Sequence, residues 1–214
     1  MTAKSVFASL SANAIVLFAR LVTAVRAIWD GVEPVSSKRV YFANHTSNGD
    51  FVLIWAVLPP YIRWRTRPVA GSDYWLTSKL KTFIGRDVFN AVLIDRNPES
   101  REDDPIAQMA EALDGGSSLI LFPEGTRNIG DDPLLPFKTG LFHLASQRPD
   151  VDLVPVWVEN LNQVMPKGEI FPIPLICTVR FGEALRLEAD EDKDAFLERS
   201  HAALLALKDS GDTA

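Results

Sequence analysis

His45 and Asp50 are the residues whose types and spacing most clearly indicate chemistry, and they lie five positions apart in residues 44–50. The apolar run at 40–43 is typical of a buried strand, and the longer run at 51–58 is typical of a helix. In one continuous helix, residues five apart would point about 140° away from each other. A polar turn between strand and helix instead lets Asp50 fold back onto one nitrogen of His45. The other nitrogen is then free to accept a proton, as in a base with its orienting carboxylate.

A second segment with chemical potential follows the apolar run at 118–122. This run is typical of a strand, and it ends at the sequence Pro-Glu-Gly-Thr-Arg, residues 123–127. In open α/β sheets, ligands bind at the carboxyl ends of buried strands. A histidine–aspartate pair alone also occurs in ordinary hydrogen-bonded turns. The presence of two polar strand ends makes a functional site the better interpretation.

Four ordered motifs carry a resemblance to a known family. Asn-His-x-Ser-x-x-Asp at 44–50 and Phe-Pro-Glu-Gly-Thr-Arg at 122–127 resemble the glycerolipid acyltransferases that acylate lysophosphatidic acid. The segments at 92–96 and 154–157 match in order and place, so the resemblance covers residues 38–160. It implies an O-acyltransferase of the 1-acylglycerol-3-phosphate type. Such an enzyme moves a fatty acyl group from a thioester donor, acyl-CoA or acyl carrier protein, to lysophosphatidic acid and forms phosphatidic acid.

This reaction suits the first pair of residues. His45 fits the general base that takes the hydroxyl proton, because an unperturbed imidazole titrates near neutrality. Asp50 fits the residue that orients the imidazole and stabilises its charged form. A thioester is already activated, so the sequence predicts neither a metal, nor a cofactor apart from the acyl donor, nor an enzyme nucleophile.

The arginines that follow two predicted strands fit a clamp for the acceptor's phosphate. Guanidinium groups bind phosphate oxygens bidentately, and Arg96 and Arg127 lie at the same predicted sheet edge as His45. The family assigns these two motifs to acceptor binding, and the resemblance carries that role to Arg96, Glu124, Gly125, Thr126 and Arg127. Gly125 permits a close backbone approach. Glu124 is expected to hold Arg127 or the loop rather than to perform chemistry.

Other functions are less well supported. A serine hydrolase using Ser47 would require a Gly-x-Ser-x-Gly turn, which the sequence lacks. His143 and His201 lie in separate predicted helices without a zinc-binding pattern. A non-catalytic lipid-binding domain would not need His45 and Asp50 together. Acyl transfer to another lysophospholipid, or to an amino-acid lysolipid, remains an alternative.

The elements that must position these residues alternate between strands and helices, which predicts an α/β fold with a mostly parallel sheet sandwiched by helices. One acyltransferase domain is expected over residues 31–214, after an amphipathic segment at 1–30. The predicted strands are 40–43, 68–70, 91–94, 118–122, 153–158 and 176–181. The predicted helices are 51–58, 75–84, 103–113, 139–147 and 194–208, and residues 166–174 are predicted to be irregular.

The N-terminal segment 4–29 has a helical pattern with a narrow polar stripe and a wide apolar face. Asn13, Arg20 and Arg26 interrupt its apolar runs, so no stretch is expected to reach the roughly 18 residues of a membrane span. Two interpretations remain open: an interfacial helix with one face in lipid, or a helix that covers the sheet. Residues 61–67, if extended, place three arginines on one face. That face suits either a lipid interface or a solvated edge strand.

Composition and charge limit the possible partners. The 214 residues carry 22 basic and 28 acidic side chains and a net charge of −6, which argues against general nucleic-acid binding. Residues 1–100 carry +5 and residues 101–214 carry −11, as expected of a protein with one face on an anionic membrane or of one with an acidic solvated tail. We therefore expect peripheral or monotopic attachment to the cytoplasmic face of a membrane. The single cysteine, Cys177, is predicted to be a buried thiol in a reducing compartment.

Overall fold

A computed structural model describes residues 3–97, 103–159 and 177–209. Its sheet has seven strands in the order β1-β7-β6-β2-β5-β3-β4, and only the β6–β7 pairing is antiparallel. The strands are β1 (Arg26–Trp29), β2 (Arg39–Ala43), β3 (Thr66–Gly71), β4 (Val92–Ile94), β5 (Ser118–Leu121), β6 (Asp152–Glu159) and β7 (Thr178–Phe181). The mostly parallel sheet confirms the predicted α/β fold.

Helices cover both faces of this sheet. They are α1 (Ala3–Thr23), α2 (Asp50–Val57), α3 (Pro60–Arg63), α4 (Ser72–Trp75), α5 (Lys79–Thr82), a π-helical segment (Phe83–Val88), α6 (Pro105–Asp114), α7 (Gly140–Gln147) and α8 (Lys193–Asp209). The predicted helix at 103–113 begins two residues late, because the Asp104 side chain accepts a hydrogen bond from the Ile106 N–H and caps α6.

The central strand β2 explains why its sequence is apolar without alternation. Tyr41 and Ala43 lie in the hydrophobic core beneath α1 and α2, whereas Val40 and Phe42 lie in the core beneath α6, α7 and α8. Both faces of a parallel strand in such a sheet are buried, so every position favours an apolar side chain. The strand that leads to His45 is therefore fixed from two sides.

The N-terminal helix is shorter than predicted. It ends at Thr23, Ala24 has a φ of 43°, and the next residues form β1 beside β7. The helix prediction over residues 4–29 is therefore wrong for its last part. The expectation that no stretch suffices to span a membrane is also wrong, since residues 4–23 are long and apolar enough by length and composition alone.

The helix α1 has one buried face and one exposed apolar face. The small residues Ala8, Ala12 and Ala19 are buried against the core. The opposite face exposes large apolar side chains: Val6, Phe7, Leu10, Leu17, Phe18 and Leu21. The helix thus covers the protein with one side and presents an apolar surface with the other.

Residues 61–67 do not form the extended basic stretch considered from the sequence. Arg63 ends α3 and is buried, where its guanidinium donates hydrogen bonds to the carbonyls of Trp55, Ala56 and Leu58. These three carbonyls at the end of α2 lack helical donors, so Arg63 satisfies them. Its role is structural, and the three arginines do not share a face.

The predicted helix at 75–84 is divided into shorter segments. The Ser78 hydroxyl accepts a hydrogen bond from the Lys81 N–H and starts α5, so α4 cannot continue. The predicted irregular segment at 166–174 lies outside the described residues, as does the first predicted residue of β7, Ile176. Cys177 is buried as predicted, and burial raises the pKa of its thiol to about 11.

Candidate active site

The carboxyl ends of four neighbouring parallel strands meet at one edge of the sheet. Phe42 of β2 pairs with Leu121 of β5, and Gly71 of β3 pairs with Ile94 of β4. The segments that leave these strands therefore lie side by side. They carry His45 after β2, Asp73 after β3, Arg96 after β4, and residues 124–127 after β5.

The predicted contact between His45 and Asp50 is present. The Nδ1 atom of His45 lies 2.9 Å from Oδ2 of Asp50. Because an ionised carboxylate can only accept a hydrogen bond, Nδ1 of the neutral ring carries the hydrogen, and Nε2 has the free lone pair. The His45 side chain is 19% exposed, and Nε2 has no hydrogen-bond partner in the described part of the chain.

The surroundings of Asp50 hold its carboxylate in one orientation. Oδ2 also accepts hydrogen bonds from the backbone N–H groups of Thr46 and Ser47, at 2.7 and 2.8 Å. Asp50 is the first residue of α2 and is completely buried, where the positive end of the helix dipole favours its negative charge. Its other oxygen, Oδ1, has no partner among the described residues. The Ser47 hydroxyl accepts a hydrogen bond from the Gly49 N–H, so it stabilises the turn.

The imidazole ring is also fixed from the side. It stacks on Phe122, with ring centroids 4.2 Å apart and planes inclined by 20°. Just before it, the Asn44 side chain forms two hydrogen bonds with the backbone of Val158 in β6. The ring position is thus determined by Phe122, which directly follows β5, and by β6 as well as by its own turn.

Glu124 was predicted to hold either Arg127 or the loop. In the structure it holds the loop and does not bond Arg127. Its buried carboxylate accepts hydrogen bonds from the His45 N–H at 2.7 Å and from the Leu135 N–H at 3.0 Å. Burial raises the pKa of Glu124, while these two bonds oppose the rise. The Asn128 N–H donates to the His45 carbonyl at 2.6 Å. The turn after β2 and the loop after β5 are therefore joined at His45.

Gly125 makes the close approach expected of it, to a residue that the sequence analysis did not select. Its φ is +69°, and a Cβ atom there would lie 2.7 Å from the Cδ atom of Lys138. The exposed Lys138 side chain thus lies against the loop that contains Thr126 and Arg127. No motif spacing indicated Lys138, because a tertiary contact places it there.

A cavity of about 630 Å³ opens at this sheet edge, and we call it the His45 cavity. Its polar lining includes His45, Arg96, Thr126 and Arg127, so the structure brings together the predicted base and both predicted arginines. Its apolar lining comes from several elements and includes Ile15 of α1, Val52 of α2, Trp75 of α4, Ile84 of the π-helical segment, Phe89 and Ile94.

The two arginines of the cavity differ in their partners. Arg127 is exposed, and its side chain has no hydrogen-bond or ion-pair partner within residues 3–97, 103–159 and 177–209. Arg96 is paired with Asp73, a contact that the sequence analysis did not foresee. Across the same described ranges, no group of three or more His, Cys, Asp or Glu side chains is placed to hold a metal ion.

Several known proteins are similar to this chain in sequence. A family model described as Acyltransferase matches residues 27–159. The 1-acyl-sn-glycerol-3-phosphate acyltransferase of Salmonella typhimurium is 36% identical over 130 residues, which are 58% of this chain and 47% of that protein. The enzyme of the same name from Escherichia coli K12 is 35% identical over 138 residues, or 58% and 51% of the two chains. This chain thus spans about half the length of these relatives.

A solved structure extends the likeness in fold. The 1-acyl-sn-glycerophosphate (LPA) acyltransferase PlsC from Thermotoga maritima aligns with a TM-score of 0.67. The alignment covers 94% of this chain and 78% of the other, at 19% sequence identity. At this identity the comparison concerns the fold, and it includes the sheet and its flanking helices.

Proposed function

Because this chain belongs to the Acyltransferase family, we propose that it transfers a fatty acyl group from a thioester donor to the free hydroxyl of lysophosphatidic acid. The product is phosphatidic acid, and the donor is acyl-CoA or acyl carrier protein. The observation that carries this proposal is the His45–Asp50 hydrogen bond of 2.9 Å beside a cavity lined by both polar and apolar side chains. The names of the matched relatives support the same activity.

The proposed mechanism uses the free nitrogen of His45. As the acceptor hydroxyl attacks the thioester carbonyl, Nε2 takes its proton, and the buried carboxylate of Asp50 stabilises the imidazolium that forms. The tetrahedral intermediate then collapses, its C–S bond breaks, and the imidazolium returns the proton to the departing thiolate. The new C–O bond completes the ester. His45 ends in its starting state, so no covalent enzyme intermediate is required.

The polar and apolar residues that line the His45 cavity suit the polar headgroup and the acyl chain of the lipid substrates. Arg96, Arg127 and Thr126 can bind the acceptor's phosphate through charge-assisted hydrogen bonds, and Lys138 adds positive charge beside them. The apolar lining from α1, α2 and α4 can receive an acyl chain, because burying each CH₂ group stabilises binding by about 0.8 kcal/mol. The reacting hydroxyl and carbonyl would then meet near His45.

A transfer assay tests this proposal. Radiolabelled acyl-CoA and acyl carrier protein are each combined with lysophosphatidic acid, with other lysophospholipids and with an amino-acid lysolipid. Labelled phosphatidic acid from at least one donor is the expected result. Transfer only to a different acceptor would replace lysophosphatidic acid as the substrate. The absence of transfer with every combination would leave a lipid-binding domain as the better interpretation.

Removing the arginines should weaken acceptor binding selectively. We expect Arg127→Ala and Arg96→Ala each to reduce acceptor affinity by about 1.5–3 kcal/mol, the range for hydrogen bonds to charged groups. The measurement is the KM for acceptor and for donor in initial-rate assays. Arg186→Ala is the matched control, because Arg186 is an exposed arginine paired with Asp152 at the start of β6. A change in the donor KM alone would assign the arginines to the other substrate.

We propose that the protein binds peripherally to the cytoplasmic face of a membrane through the outer face of α1. Phe18 and Leu21 are 67% and 74% exposed. On α4 and α5 the exposed side chains of Tyr74 and Leu80 lie beside basic residues. Phe7 of α1 contacts Phe83, with ring centroids 5.5 Å apart, which joins the two surfaces. An apolar face flanked by cations is suited to the interface of an anionic bilayer.

The vesicle-binding prediction follows from this surface. A variant with Leu17, Phe18 and Leu21 changed to Gln should sediment less with anionic vesicles than the wild type, while transfer to detergent-dispersed acceptor is retained. Deleting the helix is a poorer test, because Ala12 and Ala19 belong to the core.

The controls separate peripheral binding from other outcomes. Val35→Gln changes an exposed apolar residue outside α1 and should leave binding unchanged. Wild-type binding should weaken at high salt, since basic residues near anionic lipid contribute about 1 kcal/mol each. If high salt did not release the protein and only detergent extracted it, α1 would be a spanning helix. If the triple variant bound vesicles as well as the wild type, the role of α1 would be limited to covering the core.

A further inference from the structure

Asp73 and Arg96 form an ion pair across two neighbouring strand ends. Asp73 follows Gly71, the last residue of β3, and Arg96 follows Ile94, the last residue of β4. Because Gly71 and Ile94 are register partners, the residues two positions after each of them lie side by side. Nε of Arg96 lies 3.2 Å from Oδ1 of Asp73, and Nη2 lies 2.6 Å from Oδ2.

Gly71 provides the space in which this pair lies. A Cβ atom at position 71 would be 2.3 Å from Oδ1 of Asp73 and 2.5 Å from Nε of Arg96. These distances are too short for a Cβ atom to fit, and Oδ1 of Asp73 and Nε of Arg96 are the two atoms that form one of the hydrogen bonds. A glycine here therefore allows the carboxylate and the guanidinium to meet against the backbone of β3.

The ion pair with Asp73 uses one edge of the Arg96 guanidinium and leaves a second edge available for another ligand. Asp73 bonds the Nε and Nη2 atoms, so the edge formed by Nη1 and Nη2 has hydrogens available for a phosphate. Arg96 also lines the His45 cavity together with His45 and Arg127. The hydrogen bond from Arg96 lowers the pKa of Asp73, so the carboxylate is charged at neutral pH.

We infer that Asp73 is a positioning residue for acceptor binding, which holds the Arg96 guanidinium by its side edge so that its end edge can bind the acceptor's phosphate. This inference rests on the proposed function, since it concerns the same acceptor. An arginine side chain that is 52% exposed has many rotamers in solution. A bidentate carboxylate restricts it before the lipid arrives, so less conformational entropy is lost on binding.

The negative charge of Asp73 acts in the opposite direction. A carboxylate beside a phosphate repels it, and removing that carboxylate would by itself tighten binding of a phosphomonoester. The repulsion is screened because Asp73 is 60% exposed, whereas the orientation of Arg96 is fixed by direct contact. Orientation is therefore expected to dominate, and the sign of the change in acceptor KM distinguishes the two effects.

The test is a double-mutant cycle with steady-state kinetics, run with the acceptor that the wild type acylates fastest. Asp73→Ala should raise the acceptor KM about five-fold, the upper range for an exposed ion pair, with the donor KM and kcat unchanged. The same substitution in an Arg96→Ala background should have no further effect, because the residue acts through Arg96. Gly71→Ala should also raise the acceptor KM, since its Cβ atom separates the pair.

Three comparisons complete the experiment. Asp87→Ala is the matched control, because Asp87 forms an ion pair with Lys4 and lines no part of the His45 cavity; it should leave the acceptor KM unchanged. A lower acceptor KM in Asp73→Ala would overturn the inference in favour of repulsion, and an equal rise in the Arg96→Ala background would show that Asp73 acts without Arg96. If the wild type transferred an acyl group to no acceptor, the proposed function itself would be rejected. If the wild type were active and Asp73→Ala left the acceptor KM unaltered, only the inference about Asp73 would be rejected.

Discussion

Replacing His45 with alanine is expected to lower the kcat of acyl transfer by about 10²- to 10⁴-fold, the range for loss of a general base. No other described residue has a free imidazole nitrogen at the His45 cavity. The fold should persist, because the neighbouring segments hold position 45 by its backbone: Glu124 accepts from its N–H and Asn128 donates to its carbonyl. The measurements are single-turnover rates and thermal unfolding of both proteins.

The matched control for this substitution is His143→Ala. His143 is an exposed histidine in α7, outside the lining of the His45 cavity. Its replacement should leave the rate unchanged. A His45→Ala protein that is folded and turns over like the wild type would eliminate the proposed mechanism.

Asp50→Asn is expected to reduce kcat by about 10²-fold or more and also to destabilise the protein. The amide oxygen can replace Oδ2 and accept the three hydrogen bonds from His45 Nδ1, Thr46 N–H and Ser47 N–H. It cannot replace the charge that stabilises the imidazolium. The amide NH₂ group then occupies the buried Oδ1 position, which has no partner among the described residues. Burying an unsatisfied donor costs about 1–3 kcal/mol.

Kinetics and chemical denaturation measure these two effects separately. The control is Asp104→Asn, which also changes a carboxylate at the start of a helix. Asparagine caps helices about as well as aspartate, so this variant should keep both activity and stability. An Asp50→Asn protein that is destabilised but fully active would show that Asp50 stabilises the turn without assisting the base.

Local sequence patterns predicted the centre of the fold and of the site. The apolar run at 40–43, the polar turn and the apolar run at 51–58 indicated β2, the turn and α2, so the approach of Asp50 to His45 could be predicted. The family resemblance, the mostly parallel sheet and the apolar N-terminal helix are confirmed. The acceptor-binding roles of Arg96 and residues 124–127 stay predictions.

What could not be predicted depends on contacts between distant segments. Glu124 bonds the His45 backbone 79 positions away, and no spacing rule connects them. The residues around Arg63 in the sequence suggested a cation at a lipid interface. Arg63 is instead buried, because three carbonyls at the end of α2 need a hydrogen-bond donor. Residues 26–29 continue the apolar pattern of α1, and only their pairing with β7 makes them a strand.

The bonds at His45 have a consequence for attempts to change acceptor preference by exchanging loops between homologues. Glu124 ties the loop after β5 to the His45 N–H, and Asn128 ties it to the His45 carbonyl, at 2.7 and 2.6 Å. A graft of residues 124–128 that lacks a carboxylate at position 124 would lose the side-chain hydrogen bond to the His45 N–H, whereas any residue except proline at position 128 keeps an N–H that can bond the His45 carbonyl. A chimaera that exchanges the turn after β2 together with the loop after β5 would preserve the hydrogen bonds between them, and residue 45 would keep its position beside the new loop.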